Sequence, residues 1–388
     1  MLAIINAELV MRDHLIPDAV LFIEDGRISD FGEMRTTTIP EGCKIIDAKG
    51  AYVGPGLVDI HSHAGNNVRF QHEPARAAEG HLVNGTTSVL ATLGYEATVP
   101  QYLSYIDRIR KCMDTPEGAN IAGIYMEGPY INPNFGSESH LNPWHNKPIV
   151  AEDYDPIIAA GADIIRVWAT GPEMEGIENF VKAAKKANPE VKFTVGHSQA
   201  SPAQIEALIP YGLCIGTHHT NATGDLPKYP ECRGVCVDET VNYNDAIYAE
   251  IISDSMGIHV DPYMQRLIRK IKGDDKIILI SDQTDHAPIP VPGLEHVTDL
   301  NFSYMENGGI DISGSKLTLN VACRNYMKHT GASIVDAFRV ASYNPSRAVG
   351  LTDRGEIRVG LRADLIFVDC HMNVSTVIVG GKIKHTAV

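Results

Sequence analysis

Two histidines in GPGLVDIHSHAGNN, His61 and His63, are the first chemically suggestive feature of the sequence. They end an apolar run that reads as a strand. Side chains two apart on a strand share a face, so both imidazoles can reach one metal ion. The spacing alone is common, and a pair of exposed or hydrogen-bonded histidines accounts for it as well. Four more residues add weight. Glu127 closes the run in YMEGPY, His197 in VGHS, His218 in GTHHTNA and Asp282 in LISDQ. A carboxylate closing a buried strand is costly unless it is paired or metal-bound. Singly, each has a bland explanation: a Glu bonded to a sheet, a satisfied core histidine, an Asp that caps a helix. Taken together they make a His and carboxylate set that suits Zn²⁺ first, then Fe²⁺, Mn²⁺ or Co²⁺, rather than Ca²⁺. An ion with open coordination positions lowers the pKa of water toward neutrality, which makes such a site hydrolytic. His219 would face the opposite side of its strand from His218 and falls outside the set.

These residues need elements that bring them to one place. Apolar strands are expected at 53–61, 87–94, 121–128, 163–170, 192–198, 213–219, 247–254 and 276–282. Helical stretches lie between many of them, as at 176–187, 202–208 and 262–272, and two more follow near 317–329 and 333–342. Continuous apolar strands separated by helices imply parallel βαβ units, and eight of them imply a closed (β/α)8 TIM-like barrel. Active sites in such barrels lie where strands meet the following loops, and that is where the candidate residues fall. The two ends of the chain differ. LFIEDGRISDFG is a hairpin around Asp25-Gly26, and the last segments, ADLIFVD and STVIVGGKIKH, are short strands. The expected division is residues 1–53 and 351–388 together as a small β-sandwich, with the barrel at 54–350.

Composition narrows the function. The chain has 388 residues, 44% of them hydrophobic, enough for a full-sized core. A net charge of −15 argues against a nucleic-acid partner. No apolar run approaches the ~20 residues that span a bilayer, and the N-terminus reads as a strand rather than a signal peptide. A cytoplasmic protein with no membrane partner is expected. The seven cysteines are odd in number and scattered, so they form no disulfide framework. Cys232 and Cys236 lack a second Cys/His pair of zinc-finger spacing and read as ordinary thiols.

Over nearly its whole length the sequence resembles the amidohydrolase superfamily and, within it, the N-acetylglucosamine-6-phosphate deacetylases. The motifs that carry the resemblance are PGLVDIHSHAG, YMEGPYINP, GHS, THHTNA, SDSMGIHVD, LISD, ISGSKLTLN and NPSRAVGL…GEIRVGLRADLIFVD. The resemblance implies that Glu127, His197 and His218 are metal ligands and that Asp282 is the catalytic acid/base. His61 and His63 match members that hold a second ion, so the site is expected to bind one or two divalent metals, with Glu127 bridging. His140 is implied as a catalytic and substrate contact. Asn221, Ala222, Arg233, His259, Ile312, Ser313 and Gly314 are implied on the sugar and phosphate side, with Lys228 as the alternative to Arg233. The implied substrate is an N-acetylated, phosphorylated amino sugar and the implied assembly a homodimer.

Two departures bear on substrate identity. The loop NATGDLPKYPECRGVC is longer than usual, and Asp282 is followed by Gln283, Thr284, Asp285 and His286 where the family has small residues. The competing readings are a cyclic amidase or deaminase of the same superfamily, a non-catalytic assembly protein and a sugar-phosphate binding protein. No lysine stands at the end of strand 3 or strand 4, where many other superfamily members carry a bridging one.

Overall fold

Eight parallel strands form one sheet in chain order: Leu57–Ser62, Thr86–Leu93, Ile121–Met126, Ile165–Thr170, Lys192–Val195, Leu213–Gly216, Tyr248–Ile251 and Ile277–Leu279. They are called barrel strands 1 to 8. A helix follows each: Pro74–Leu82, Val99–Met113, Ala151–Gly161, Ile177–Ala187, Pro202–Leu208, Val237–Tyr243, Pro262–Lys272 and Leu319–Thr330. The computed structural model describes residues 1–136, 142–145, 147–226, 228–285, 289–304 and 309–387.

Local sequence explains several of these helices. Ser201 accepts the backbone N–H of Gln204 and opens Pro202–Leu208, with proline at the first position, where a missing N–H costs nothing. Asp261 caps Pro262–Lys272 in the same way. That helix ends in Arg269, Lys270 and Lys272, cations that favour the negative end of the helix dipole.

The barrel closes between strands 8 and 1 through a few specific bonds. Asp282 donates its backbone N–H to the His61 carbonyl at 2.9 Å, and His63 donates to the Gln283 carbonyl at 3.0 Å. The buried Asp59 carboxylate accepts the N–H of Ser281 below them. This seam therefore places the H-x-H pair against the catalytic-acid candidate.

The chain ends join as expected in a second sheet of eight strands. Tyr52–Pro55 pairs antiparallel with Leu365–Val368, which stitches the N-terminal strands to the C-terminal ones. One face covers its own core, built on Leu9, Leu21, Val53, Leu365 and Phe367. Ile366, Val368 and Val377 belong instead to the same apolar cluster as Val58, Val89 and Ile109 of the barrel. The sheet and barrel thus share a core. No described helix is long and apolar enough to cross a membrane.

Candidate metal centre

Glu127 follows barrel strand 3 directly and stands at the centre of four imidazoles. Its Oε2 lies 2.9 Å from His63 Nε2, and its Oε1 lies 3.1 Å from His197 Nε2, 3.3 Å from His218 Nε2 and 3.4 Å from His61 Nε2. Asp282 Oδ1 lies 3.5 Å from His63 Nε2 and 3.8 Å from His61 Nε2. All six residues are buried. Two ligand groups result, His61/His63/Glu127 and Glu127/His197/His218, and they share the glutamate.

Three of these residues sit on sharp corners. His197, His218 and Asp282 have φ of 48°, 28° and 47°, in the left-handed region that non-glycine residues seldom occupy. Each such residue costs about 1–3 kcal/mol, and such strain clusters at functional sites. The corners also correct the sequence reading. Strands 5, 6 and 8 stop at Val195, Gly216 and Leu279, short of the ligands. Hydrophobic periodicity carried them too far because it does not register a turn of the backbone.

The hydrogen bonds around the histidines set which nitrogen faces the glutamate. His197 donates Nδ1–H to the Phe135 carbonyl at 3.1 Å, which turns its Nε2 toward Glu127. Gly136 allows that approach: it has φ +105°, and a Cβ there would stand 2.7 Å from His197 Nδ1. His61 turns Nδ1 to Glu250 Oε2 at 3.2 Å and stacks on Tyr125, with ring centroids 4.5 Å apart. The Tyr125 hydroxyl is held in turn by Thr194 and Thr217. Glu250, fully buried on barrel strand 7, also accepts the backbone N–H of His218 at 3.0 Å. The sequence reading missed Glu250. Its signal was an acidic residue inside the apolar run IYAEIISD.

Charge follows geometry. Burial alone would raise the Glu127 carboxyl, yet the charges of His61 and His63 and the bonds from His197 and His218 hold it well below the ordinary carboxylate range. Burial pushes His61 down, but Glu127, Glu250 and Asp282 outweigh it and leave its pKa well above the usual value. His197 is raised against burial by Glu127.

A divalent cation fits this donor set. His197 Nε2 and His218 Nε2 face each other at 3.0 Å, and His61 Nε2 is a buried polar atom without a hydrogen-bond partner. A cation among them would satisfy these lone pairs, and the mixed N/O donors match Zn²⁺ or a similar ion.

The outer candidates are less gathered. Asn221 donates its side-chain amide to the His218 carbonyl at 3.2 Å, and Ala222, at φ 51°, accepts the N–H of Ser198. Both wrap the His218 corner. His259 is buried between Asp254 Oδ2, 3.0 Å from its Nδ1, and the Gly314 carbonyl, 3.2 Å from its Nε2. Burial would raise Asp254, but His259 and the backbone N–H groups of Ile258 and His259 bring it down to about 2. Ile312, Ser313 and Gly314 lie on a strand, Ile310–Ser315, paired with Leu300–Tyr304. Gly314 has φ +56°, and a Cβ on it would stand 2.6 Å from the Asp282 carbonyl. Arg233 has a side chain 79% exposed and is paired with Glu239 at 2.7 Å, so the structure does not present it as a free pocket cation. An acceptor six residues along the chain captures it first. Lys228 is exposed. His219 is buried on the far side, with Nδ1 3.8 Å from Asp238, and its burial lowers it to about 4. His140 and His286 lie outside the described residues.

The amidohydrolase family profile matches residues 52–384. An N-acetylglucosamine-6-phosphate deacetylase of Lysinibacillus sphaericus is 26% identical, over 94% of this chain and 92% of its own. An N-acetylgalactosamine-6-phosphate deacetylase of Escherichia coli O157:H7 is 27% identical, over 85% of this chain and 86% of its own. Among solved structures, N-acetylglucosamine-6-phosphate deacetylase from Pasteurella multocida superposes with a TM-score of 0.83 at 23% identity, covering 99% of both chains. On the match across most of its length, this chain belongs to the amidohydrolase family.

Proposed function

We propose that the protein hydrolyses the acetamide of an N-acetylated amino sugar 6-phosphate, with N-acetylglucosamine-6-phosphate the first candidate. The observation that carries this is the convergence of Glu127, four imidazoles and Asp282 at one end of the barrel. The deacetylase names of the relatives support the substrate class.

His61, His63 and Glu127 would hold one ion, and Glu127, His197 and His218 another, Zn²⁺ being the first choice. A divalent ion there supplies Lewis acidity toward a carbonyl and makes water more acidic. Asp282 takes the proton of the attacking water as general base, within reach of His61 and His63. The same carboxyl then gives that proton to the sugar nitrogen as the C–N bond breaks, releasing acetate and the free amine. His140 is assigned to the oxygen of the tetrahedral intermediate. Asn221, Ala222 and His259 are assigned to the sugar and its phosphate, with Ser313 and Gly314 lining the side nearest Asp282. The assembly is proposed as a homodimer, to be checked by sedimentation. A cytoplasmic location is supported by the free cysteines.

The pairing of Arg233 with Glu239 favours a second reading in which the sugar carries no phosphate. One panel decides: acetate release from N-acetylglucosamine-6-phosphate, its galactosamine epimer and the two unphosphorylated sugars. No acetate from any of the four would reject the deacetylase assignment.

A further inference from the structure

Glu250 is a carboxylate with no exposure to solvent, in the middle of an apolar barrel strand. Burying such a charge costs several kcal/mol unless strong partners hold it. Its partners are specific. Oε2 lies 3.2 Å from His61 Nδ1 and also accepts the backbone N–H of His218 at 3.0 Å. Its own carbonyl accepts the N–H of His219 at 2.8 Å. One side chain therefore ties an imidazole of the first ligand group to the backbone of an imidazole in the second.

We propose that Glu250 is a positioning residue for a two-metal centre, fixing His61 so that the His61/His63/Glu127 position can hold its ion. An oxygen that accepts Nδ1–H sets the tautomer of the ring and aims Nε2. Tyr125 stacks on one face of the His61 ring, so the carboxylate and the stack together fix both direction and tilt. His197 receives equivalent service from the Phe135 carbonyl, a neutral acceptor on a loop. His61 receives it from a buried side-chain oxygen on a strand. The same Oε2 also anchors the left-handed corner at His218, where φ is 28°.

This inference rests on the metal reading of the site and not on the identity of the substrate. Its test is a titration of chelator-stripped protein with Co²⁺, followed by visible absorbance and metal analysis, with no substrate present. The wild type is expected to take two ions. Glu250→Asp keeps the charge and shortens the reach, so the second ion should weaken about 10- to 100-fold, with a changed Co²⁺ spectrum. Glu250→Gln keeps an oxygen where Oε2 stands and should hold the second ion within about tenfold of wild type. Far-UV circular dichroism reports whether each variant is folded, and the glutamine variant supplies the rescue. Two ions at wild-type affinity in Glu250→Asp overturn the proposal, as does a glutamine variant no better than the aspartate one. A wild type that takes only one ion removes it too, while the one-metal reading survives. A wild type that takes none removes both.

Discussion

Around Glu127 every imidazole is buried and reaches the same carboxylate, whereas Arg233, on the loop after barrel strand 6, is exposed and held by a near neighbour in sequence. The two regions are built on different supports. The inner residues stand on strand ends and corners fixed by the barrel ladder, the 8–1 seam and buried acceptors such as Glu250. Arg233 stands on a loop, and its ion pair is to Glu239, six residues along the chain. Barrel folds concentrate chemistry at strand ends and vary the loops beyond. The contrast here teaches that the hydrolytic machinery is rigidly specified while the grip on the far end of the substrate is not.

The sharpest way to break that contrast is at its centre. Asp282→Asn keeps the volume and removes the proton acceptor. It should lower turnover by about 10³-fold, within the ~10²–10⁴ range of general acid–base catalysis, and leave metal content at the wild-type value. Wild-type kcat in this variant would show that the acid/base lies elsewhere. Glu127→Gln attacks both ligand groups at once, because both use that carboxylate. Metal analysis should find both ions weakened, each by at least about tenfold. Thermal melting should then lose most of the difference between stripped and metal-loaded wild type, since binding to the native state alone stabilises it. An unchanged stoichiometry would mean that the glutamate does not bridge.

An intermediate case probes the boundary between the two regions. Gly314 brings the strand Ile310–Ser315 against the Asp282 backbone, where Ser315 donates its N–H to the Asp282 carbonyl at 2.8 Å. Gly314→Ala places a methyl in that contact at a left-handed φ. It should cost about 1–3 kcal/mol of stability by denaturant unfolding and about tenfold in kcat, through displacement of Asp282. A variant with native stability and rate would place the hairpin with the tolerant outer region.

Legibility followed the same division. Barrel strands and the clustered Glu127, His61, His63, His197, His218 and Asp282 were readable because an acidic or imidazole side chain closing an apolar run contradicts burial and calls for a partner. The alternation of strands and helices then gave the barrel. Strand ends were overrun at His197, His218 and Asp282, because positive φ leaves no mark on hydrophobic pattern. Glu250 left a signal, an acid inside an apolar run, but its role was hidden for another reason. Its partners His61 and His218 lie 189 and 32 positions away, so its meaning exists only once the barrel has closed. Arg233 is a different case. Its type suits a phosphate, as does that of Lys228, but its pairing with Glu239 is a matter of loop geometry that motif spacing does not encode.

The smallest effect is expected at Arg233, which the sequence reading set beside Lys228 as the phosphate's cation. An ion pair as exposed as Arg233–Glu239 contributes little, about 0–1 kcal/mol, so releasing it is cheap and losing it is tolerable. Arg233→Ala should change KM for N-acetylglucosamine-6-phosphate by less than about threefold, with kcat and metal content unchanged, the size expected of a rim charge that does not enter the site. The comparison that matters is between phosphorylated and unphosphorylated sugar in the same variant. A phosphate contact would raise KM for the first about 10- to 100-fold, the range of a lost charge-assisted bond, and leave the second alone. That outcome would mean that Arg233 leaves Glu239 when substrate arrives. The outer region would then grip its ligand as specifically as the inner one does, and the distinction between them would be one of timing rather than of support.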